Sequence, residues 1–384
     1  MPTVRTPTTD TTIQKRVVAD SIRFVEWTAC PLVKRLGLNG EDRWDFENWP
    51  PGGGKKIEWL EDTLPAVADQ LDGAVDATQT VFLVDNGYLF HEGHILVIDT
   101  EYTIVQSRAN NLLTVTRAQG GTTAATHADN AAVTIRGIAK KTGANYAIGA
   151  TTTVTAPYNY CQILEEAVRV NRDQADAHDY GVPDTQAYHL AKLIGGDKSV
   201  GPKGRAGTLL LRLADMAYYG KRQVMSDSVE GMAGGFKQFI TTGLTGDTST
   251  PFRRETLEAQ LRRIYNTGGM PDLIVTSAFG ATKITQWYEG FVRTTLSEER
   301  GGAHITSVRT PVFPEMEIMI DWKCAETETY ILDSERVGWV TVRPFDVERK
   351  PSLGDYDVDS VLGEYSFVVQ NEKVHSIITH SSTK

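Results

Sequence analysis

The strongest hydrophobic pattern in the chain lies between residues 184 and 223. In the second half of this stretch, apolar side chains cover most of a predicted helix and leave one narrow polar stripe, formed by Arg205, Thr208, Arg212, Asp215 and Arg222. The first half has apolar residues at i, i+3, i+4 and i+7 after a Pro183-Asp184 pair that favours a helix start. A helix with so much apolar surface must be covered on several sides. We therefore predict a central helix, the spine helix, interrupted at GGDKSVGPKG (195–204).

Residues 74 to 138 have a β pattern instead. Turn signals at Asn86-Gly87, Asn110-Asn111 and Gly120-Gly121 separate five short β runs: TVFLV (80–84), HILVI (94–98), EYTIVQ (101–106), LLTVT (112–116) and AAVTIRG (131–137). Five strands in this length predict a small barrel or sandwich. Extended segments flank the block, which predicts that it is inserted at the tip of a long hairpin. A lone two-stranded hairpin is only marginally stable in water, so this arm should lie against something else.

The C-terminal third of the chain is predicted to be mixed. A helix should begin with Thr250 as its cap and Pro251 as its first residue, and end at Gly268-Gly269. A buried strand, LIVTS (273–277), and a helix over 278–289 follow, and the remainder is mostly β. Within 364–369, alternating side chains predict a strand with one face more buried than the other.

The N-terminal region has little structure of its own. Residues 1 to 12 are too poor in apolar side chains to order themselves, and residues 13 to 36 have a loose helical rhythm that Pro31 should interrupt. Beyond them, Trp44, Phe46 and Trp49 lie in a turn-rich segment. Large aromatic residues in such a segment indicate anchoring on another surface, in the same chain or in a neighbouring one.

Composition narrows the function classes. The 384 residues carry a net charge of −10, whereas proteins that grip nucleic acid usually have a strong basic patch. The three cysteines are isolated, which predicts neither a disulfide framework nor a thiolate zinc site and favours a reducing cytoplasm. We find no apolar run of the roughly 20 residues that a membrane span needs and expect no signal peptide.

Candidate chemistry is sparse. Gly196 and Gly201 have the spacing of a phosphate-binding loop, but Pro202 stands where that motif requires lysine. His91 and His94, like His127 and Asp129, are predicted to be solvated turn or loop residues, and the acidic pairs Glu165-Glu166 and Glu298-Glu299 to be solvated helix faces. No nucleophile elbow is present. We therefore predict no catalytic residue, cofactor site or metal site, and no enzyme activity.

An ordered set of segments resembles a known family. These are IEWLEDTL, PYNYCQILEEAVRV, QAYHLAKLI, GGFKQFITTG, LIVTSAFGATKI, TYILDSERVGWVTVRPF and GEYSFVVQNEKVHSIITH. Together they resemble a tailed-bacteriophage major capsid protein of the HK-97-type fold, in the branch with a small β domain inserted in the extended loop. The resemblance begins near Ile57 and covers nearly all the rest. No single motif is diagnostic, and the order of the set carries the resemblance.

The resemblance implies an α+β fold with the following parts: an N-terminal arm (1–54), an extended loop (55–73 and 138–158), an inserted β-barrel-like domain (74–137), a peripheral domain with the spine helix (159–234 and 330–384) and an axial domain (235–329). Members of this family usually have an unbroken spine helix, so the interruption at 195–204 is a departure from the pattern.

The function that the resemblance implies is self-assembly. The chain would form pentamers and hexamers of an icosahedral or prolate head that encloses double-stranded DNA, assembled in the host cytoplasm and found in the virion. Its partners would be itself, a portal protein, a separate scaffolding protein or none, a decoration protein where one is used, and the packaged DNA through weak non-specific contacts, with no membrane.

Some relatives join subunits through a Lys–Asn isopeptide bond near a carboxylate. Here the candidates are Lys55, Lys56, Lys140, Lys141, and Asn371 beside Glu372. We expect no such bond, because nothing in the sequence holds these groups together and surface lysines are usually solvated.

Two other classes stay open. A cellular encapsulin-like nanocompartment shell shares the fold but encloses protein cargo. The β insert alone is also compatible with an adhesion or glycan-binding protein, for which monomeric behaviour and glycan affinity would be expected.

Overall fold

The computed structural model describes residues 30–36, 56–62, 66–143, 154–173, 186, 189–190, 193, 207–226, 228–288, 307–308, 310, 313, 315–351 and 354–382. The chain divides into two compact units, Leu60–Pro157 and, together, Met1–Trp59 and Tyr158–Lys384. Several predictions concern residues outside the described ranges. These are most of the N-terminal arm, including Trp44, Phe46 and Trp49, the spine interruption at 195–204, and the Glu298-Glu299 pair.

The bounds of the regular elements are as follows. The helices are α1 (Pro31–Leu36), α2 (Thr208–Tyr219), α3 (Phe236–Phe239), α4 (Arg254–Asn266) and α5 (Ala278–Tyr288). The strands are β1 (Lys56–Glu58), β2 (Ala68–Gln70), β3 (Val81–Leu83), β4 (His94–Ile98), β5 (Glu101–Ala109), β6 (Leu112–Gln119), β7 (Ala132–Ile138), β8 (Tyr158–Tyr160), β9 (Gln162–Asn171), β10 (Leu244–Thr245), β11 (Leu273–Thr276), β12 (Ser307–Val308), β13 (Met316–Ile320), β14 (Glu328–Leu332), β15 (Val337–Lys350), β16 (Tyr356–Val369) and β17 (Ser376–Thr379). No helix of the described ranges is long and apolar enough to cross a membrane.

The smaller unit is a β-barrel. Its strands pair in the order β2-β7-β4-β5-β6-β3, and a bridge between Leu71 and Val84 closes the sheet on itself. Each of the five predicted β runs overlaps one of these strands, so the predicted runs are confirmed, and β5, β6 and β7 extend beyond them. The predicted turns at Asn110-Asn111 and Gly120-Gly121 are confirmed too, since Asn110 and both glycines have positive φ angles, whereas Asn86-Gly87 begins a short 3-10 helix, Gly87–Leu89. Strand β2 belongs to the barrel, although the sequence analysis placed its residues in the extended loop. Three mostly polar residues are too few to show the alternating pattern of a strand.

The barrel interior is filled by alternate residues of its strands. The fully buried apolar side chains include Leu71, Phe82, Phe90, Leu96, Ile98, Leu113 and Val133. Period-two alternation places these residues on the inner face, and burial of each such side chain contributes roughly 1.5–3 kcal/mol. The insert therefore has a hydrophobic core of its own.

A buried ionic cluster fastens two loops to the barrel, and it corrects one prediction. His127 was expected to be solvated, but it is 3% exposed, and its ring nitrogens lie 2.8 Å from Asp99 and 3.0 Å from Glu101. Glu101 also accepts hydrogen bonds from Arg117 at 2.6 and 2.9 Å and from the Ala125 amide at 3.0 Å. The sequence did not reveal the role of His127, because a histidine in a Thr/Ala-rich loop has the composition of a solvated loop residue. Asp129, by contrast, is exposed as expected and accepts a hydrogen bond from the Gly73 amide.

The larger unit contains a six-stranded sheet in the order β10-β17-β14-β11-β13-β12. Helices α4 and α5 pack on it around buried side chains that include Leu257, Leu261, Ile264, Ile274 and Ile284. The predicted strand LIVTS and the helix that follows it are confirmed as β11 and α5. The predicted domain boundary at residue 330 falls within β14 and assigns β17 to a different domain from β11, whereas β14 pairs with both strands.

The second sheet of the larger unit has three long strands in the order β15-β16-β9. Glu165 and Glu166, predicted on a helix, lie in β9. The prediction of a strand over 364–369 is confirmed, but both of its faces are buried there. The second face is covered because Val368 packs with Ile57, Trp59, Cys161 and Val340. Glu364 on that stretch accepts hydrogen bonds from Arg343.

Helix α2 confirms part of the spine helix. Its buried residues are Leu209, Leu213, Ala214, Met216, Ala217 and Tyr218, while the predicted polar positions Arg212 and Asp215 remain partly exposed. The helix ends at Tyr219, earlier than the pattern predicts. The next residue is Gly220, where a Cβ atom would lie 2.4 Å from the Ala233 carbonyl oxygen, so only glycine fits where α2 meets the segment that leads into α3.

The start of one helix differs from prediction. Helix α4 begins at Arg254 rather than at Pro251, since the buried Phe252 and a bridge between Pro251 and Ser381 hold that segment outside the helix. Its end at Gly268-Gly269 is confirmed: the Gly268 amide donates to Tyr265 and the Gly269 amide to Ile264, a Schellman ending. Pro31 begins α1, where a missing N–H costs nothing; the residues before Cys30 lie outside the described ranges, so an interruption of their helical rhythm at Pro31 stays a prediction.

The ionic cluster predicts a stability effect. Replacing Glu101 with alanine leaves Arg117, 6% exposed, without its carboxylate partner. We expect the barrel to lose about 3–5 kcal/mol of stability, the usual cost of a buried charge left unpaired. Native-state hydrogen exchange of the β5 and β6 amides in the full chain measures this loss. As the control, alanine at the exposed Glu92 should change stability by less than about 0.5 kcal/mol, and equal effects of the two variants would contradict the account.

The same cluster predicts a pH dependence. Burial raises the pKa of Glu101, but the hydrogen bonds from Arg117, Ala125, His127 and Ala118 outweigh it and lower this pKa from 4.5 to about 2. Because the folded-state pKa is depressed, the stabilisation is complete above pH 4.5 and is lost as the pH falls towards 2, an effect of about 3 kcal/mol. The stability difference between the wild type and Glu101→Gln, followed by hydrogen exchange, should shrink over this range. A difference that does not vary with pH would refute the assignment.

Candidate assembly surfaces

The histidine motif of the barrel is part of its packing. The His91 amide donates a hydrogen bond to Nδ1 of His94 at 3.2 Å, and the two rings meet edge to face. His94 is 9% exposed, so the expectation of a solvated residue is wrong there. Burial lowers the pKa of both rings. Within the described ranges, no group of three or more His, Cys, Asp and Glu side chains has a metal-binding arrangement.

The three cysteines lie in the core. Cys30, Cys161 and Cys324 are all buried. Burial raises the pKa of Cys30 to about 12, and it raises that of Cys324 as well. The thiolate is the reactive form of cysteine, so neither Cys30 nor Cys324 is prepared for nucleophilic chemistry.

Two candidate crosslinking groups already have intramolecular contacts. Lys56 pairs with Glu58 and lies 4.2 Å from the centre of the Tyr158 ring. Glu372 accepts hydrogen bonds from the Thr241 amide and from the hydroxyls of Thr241 and Thr242 at 2.8–3.1 Å. Burial raises the pKa of Glu372, but these hydrogen bonds lower it, and the result lies below the ordinary value. A carboxylate with a lowered pKa is a weaker proton acceptor.

The first candidate surface is the extended hairpin, which is anchored at its root. Strands β1 and β8 pair antiparallel, and Ile57 and Trp59 are buried. The buried Asn159 amide donates hydrogen bonds to the carbonyl oxygens of Phe367 and Gly234 at 2.6 and 2.9 Å. The root of the hairpin is therefore part of the larger unit's core.

Beyond the root, the apolar side chains of the hairpin become exposed. Leu60 is 76% exposed and Val154 51%, with Val67 at 64% and Ile138 at 68% on the same two flanks. Glu61 pairs with Thr155, so the antiparallel register places Leu60 and Val154 on the opposite face from that pair. Single exposed apolar residues are normal on a surface, but four of them within two short flanks make these flanks a candidate contact surface. The sequence signal for this surface was aliphatic residues in the two extended flanks of the predicted hairpin.

The second candidate surface is an open groove of about 570 Å³ between β9 and α2. Leu164, Leu209 and Met216 form its buried part, and Tyr219 and Met232 stand at its rim with 45% and 37% exposure. Charged side chains of both signs surround this apolar strip, including Glu165, Glu166, Arg212 and Lys221. An apolar strip with a polar rim is the usual composition of a protein–protein interface.

The third candidate surface is the loop that follows α4. Met270 is 78% exposed and Tyr265 59%, next to the glycine ending of that helix. The loop leads directly into β11, a fully buried strand of the six-stranded sheet. The last turn of α4 and the loop that leads into the sheet therefore present two large apolar side chains to solvent.

Comparison with known proteins identifies the fold and the family. A family model described as SU10 major capsid protein matches residues 5–382. Among solved structures, the chain is similar to one from the "Cyanophage A-1(L) capsid asymmetric unit", with 11% identity, coverage of 99% of this chain and 100% of that chain, and a TM-score of 0.57. No curated protein sequence matches it.

Two further phage structures are similar to the chain. One comes from "The capsid of Myoviridae Phage XM1", with 9% identity, coverage of 95% and 96%, and a TM-score of 0.48. The other comes from Mycobacterium phage Adephagia, with 10% identity, full coverage of both chains and a TM-score of 0.43.

The cyanophage likeness shows that the chain has the fold of a phage capsid subunit, which confirms the α+β, HK-97-type prediction. The family model spans almost every residue. The chain therefore belongs to the SU10 major capsid protein family.

Proposed function

We propose that this chain is the major capsid protein of a tailed bacteriophage and builds the closed shell of the virion. The observation that carries the proposal is the hairpin, which is buried at Ile57 and Trp59 but presents Leu60 and Val154 to solvent. A subunit with such an arm completes its core only against another copy. Burial of two aliphatic side chains per contact adds roughly 3–6 kcal/mol before the cost of association.

Symmetry makes modest contacts sufficient. Copies arranged in pentamers and hexamers repeat the same interfaces around closed rotations, so each subunit is held on several sides at once. Simultaneous contacts raise the effective concentration of each partner surface. A shell of many such contacts is strong enough to enclose a double-stranded DNA genome.

The parts of the fold have assignable roles in such a shell. Residues 1–54 act as an arm over neighbouring subunits, residues 55–73 and 138–158 as the extended loop, and 74–137 as an insert in that loop. The three-stranded sheet and α2 form the peripheral domain. We extend the axial domain from 235–329 to include β14 and β17, because both strands pair within its sheet.

The partners of the shell follow from its task. The net charge of −10 suits weak contact with packaged DNA, since strong attraction would hinder packaging and release. A portal at one vertex, a separate scaffolding protein during assembly and decoration proteins on the outer surface are the further partners that we propose. The capsid family assignment favours a structural protein rather than an enzyme.

An encapsulin-like compartment is the second candidate, because it uses the same fold to enclose protein. The capsid reading is preferred, since the family model that matches residues 5–382 describes a major capsid protein. Nucleic acid within particles from infected cells distinguishes the two: DNA supports the capsid, and protein cargo without DNA supports the compartment. The adhesion or glycan-binding alternative would give monomers with glycan affinity.

Assembly should depend on the exposed face of the hairpin. Leu60→Lys and Val154→Lys place a charge where an apolar contact is proposed, so we expect folded subunits that lose shell formation, measured by sedimentation and negative-stain microscopy. Thr155→Lys is the matched control, because it puts the same charge on the opposite face of the same hairpin, beside Glu61. If Leu60→Lys and Val154→Lys assemble as well as the control, this face takes no part in the shell.

The mature shell should contain no isopeptide crosslinks. Glu372 is held by two threonines and lacks the raised pKa that would suit a proton acceptor. Denaturing electrophoresis of assembled particles should therefore give a band at the 42.3 kDa chain mass. A ladder of covalent multimers that disappears in Asn371→Ala would show that the bond forms.

A further inference from the structure

The C-terminal end of α2 is hydrogen-bonded to the loop between two strands of the six-stranded sheet, β13 and β14. Residues 321–327 connect β13 to β14, and Asp215, Tyr218 and Tyr219 of α2 all bond to this connection. With Asp321 and Lys323 they form a group that we call the joint cluster. It lies entirely within the larger unit and links α2 to the six-stranded sheet.

Its central contact is a buried hydrogen bond. The Tyr218 hydroxyl donates to Oδ2 of Asp321 at 2.9 Å, and both residues are 0% exposed. The other carboxylate oxygen of Asp321 accepts from the Lys323 amide at 2.9 Å. Burial, together with the Asp321 charge, raises the pKa of Tyr218 well above its ordinary value, so the phenol keeps its proton. A hydrogen bond to a carboxylate in such a dry site is strong and directional.

Two contacts flank this hydrogen bond. Nζ of Lys323 lies 2.9 Å from both carboxylate oxygens of Asp215. The Tyr219 hydroxyl donates to the Lys323 carbonyl oxygen at 3.1 Å. Because Asp215, Tyr218 and Tyr219 occupy positions i, i+3 and i+4, they lie on one face of the helix and hold the same turn.

The neighbouring side chains support the joint cluster without belonging to it. The Glu328 carboxylate on β14 accepts hydrogen bonds from the Tyr330 hydroxyl and from Nζ of Lys237, both at 2.6 Å. The Tyr330 and Phe236 rings pack on Tyr218, with centroids 5.3 and 5.9 Å away. Gly220 and Gly235 let the backbones of α2 and α3 meet, since a Cβ on either residue would lie 2.4 Å or less from a carbonyl oxygen.

This geometry leaves α2 little freedom relative to the sheet. Three bonds to one turn resist sliding of the helix along its axis, and their common face resists rotation about that axis. Hydrogen bonds constrain direction more than apolar packing does, and the central one of these three bonds goes to the buried Asp321 carboxylate. A small change of this angle in one subunit is multiplied when the subunit is repeated around a shell.

We propose that Tyr218, Asp321 and Lys323 are positioning residues that set the angle between α2 and the six-stranded sheet and thereby the curvature of the assembled shell. The inference rests on the proposed capsid function. The three residues act through the two elements that they join rather than by contacting a neighbouring subunit. Loosening the joint cluster should change the size of particles more than their stability.

Two variants with matched controls test the proposal. Tyr218→Phe removes the hydroxyl of the central bond, and Lys323→Met removes the charge that pairs with Asp215. Tyr365→Phe is the first control, because Tyr365 is also buried and its hydroxyl accepts a hydrogen bond from the Phe345 amide within the three-stranded sheet. Lys350→Met is the second, since Lys350 pairs with Glu165 and Glu348 away from the joint cluster.

The measurements are particle diameters by electron microscopy and melting temperatures of unassembled subunits. We expect Tyr218→Phe and Lys323→Met to shift or broaden the diameter distribution, while both controls keep wild-type particles despite comparable shifts in melting temperature. Wild-type diameters in Tyr218→Phe and Lys323→Met would overturn the inference, as would equal changes in the controls. If Tyr218→Phe fails to fold, Lys323→Met decides. Wild-type protein that forms no shells would refute the proposed function instead.

Discussion

The structure depends on a constraint on extended arms: two strands alone cannot bury enough apolar surface to be stable in water. The root of the hairpin meets this constraint within the chain, since Ile57 and Trp59 join a buried cluster with Val340 and Val368. The flanks beyond it do not, because Leu60 and Val154 remain exposed. Among the described residues these two side chains stay exposed, and in the proposed shell another copy is the partner that covers them.

Charged groups are buried where separate pieces of chain must hold a defined geometry. In the barrel, the ion pair of Glu101 and Arg117 holds loops against strands. In the larger unit, the Asp321 carboxylate accepts a hydrogen bond from the Tyr218 hydroxyl of α2. Such contacts add little net stability compared with apolar packing, but breaking one partner is costly, which favours a single arrangement. A shell needs this property in each subunit, since errors of angle accumulate over many copies.

Much of the fold could be predicted because its signals are local. The turns at Asn110 and Gly120-Gly121, the strand LIVTS and the glycine end of α4 depend on short-range backbone preferences and were correctly predicted. Features set by distant contacts could not be predicted. Gly220 lies against the Ala233 carbonyl where α2 ends, and β16 is buried on both faces because the hairpin root covers it. The pairing of β14 and β17 with strands far away in sequence likewise leaves no local signal for a boundary near residue 330.

The candidate surfaces were only partly predictable for the same reason. That the arm needs a partner followed from its composition, but which side chains stay exposed required the register of Glu61 with Thr155. His127 looked like a loop residue, since nothing near it in sequence reveals the carboxylates that flank it.

A cryo-electron microscopy reconstruction of the assembled particle tests the central claim most directly. The account predicts a closed shell in which Leu60 and Val154 of each subunit are buried against a neighbouring copy. A shell in which both side chains face solvent, or a purified chain that stays monomeric with its hairpin packed on its own body, would contradict it.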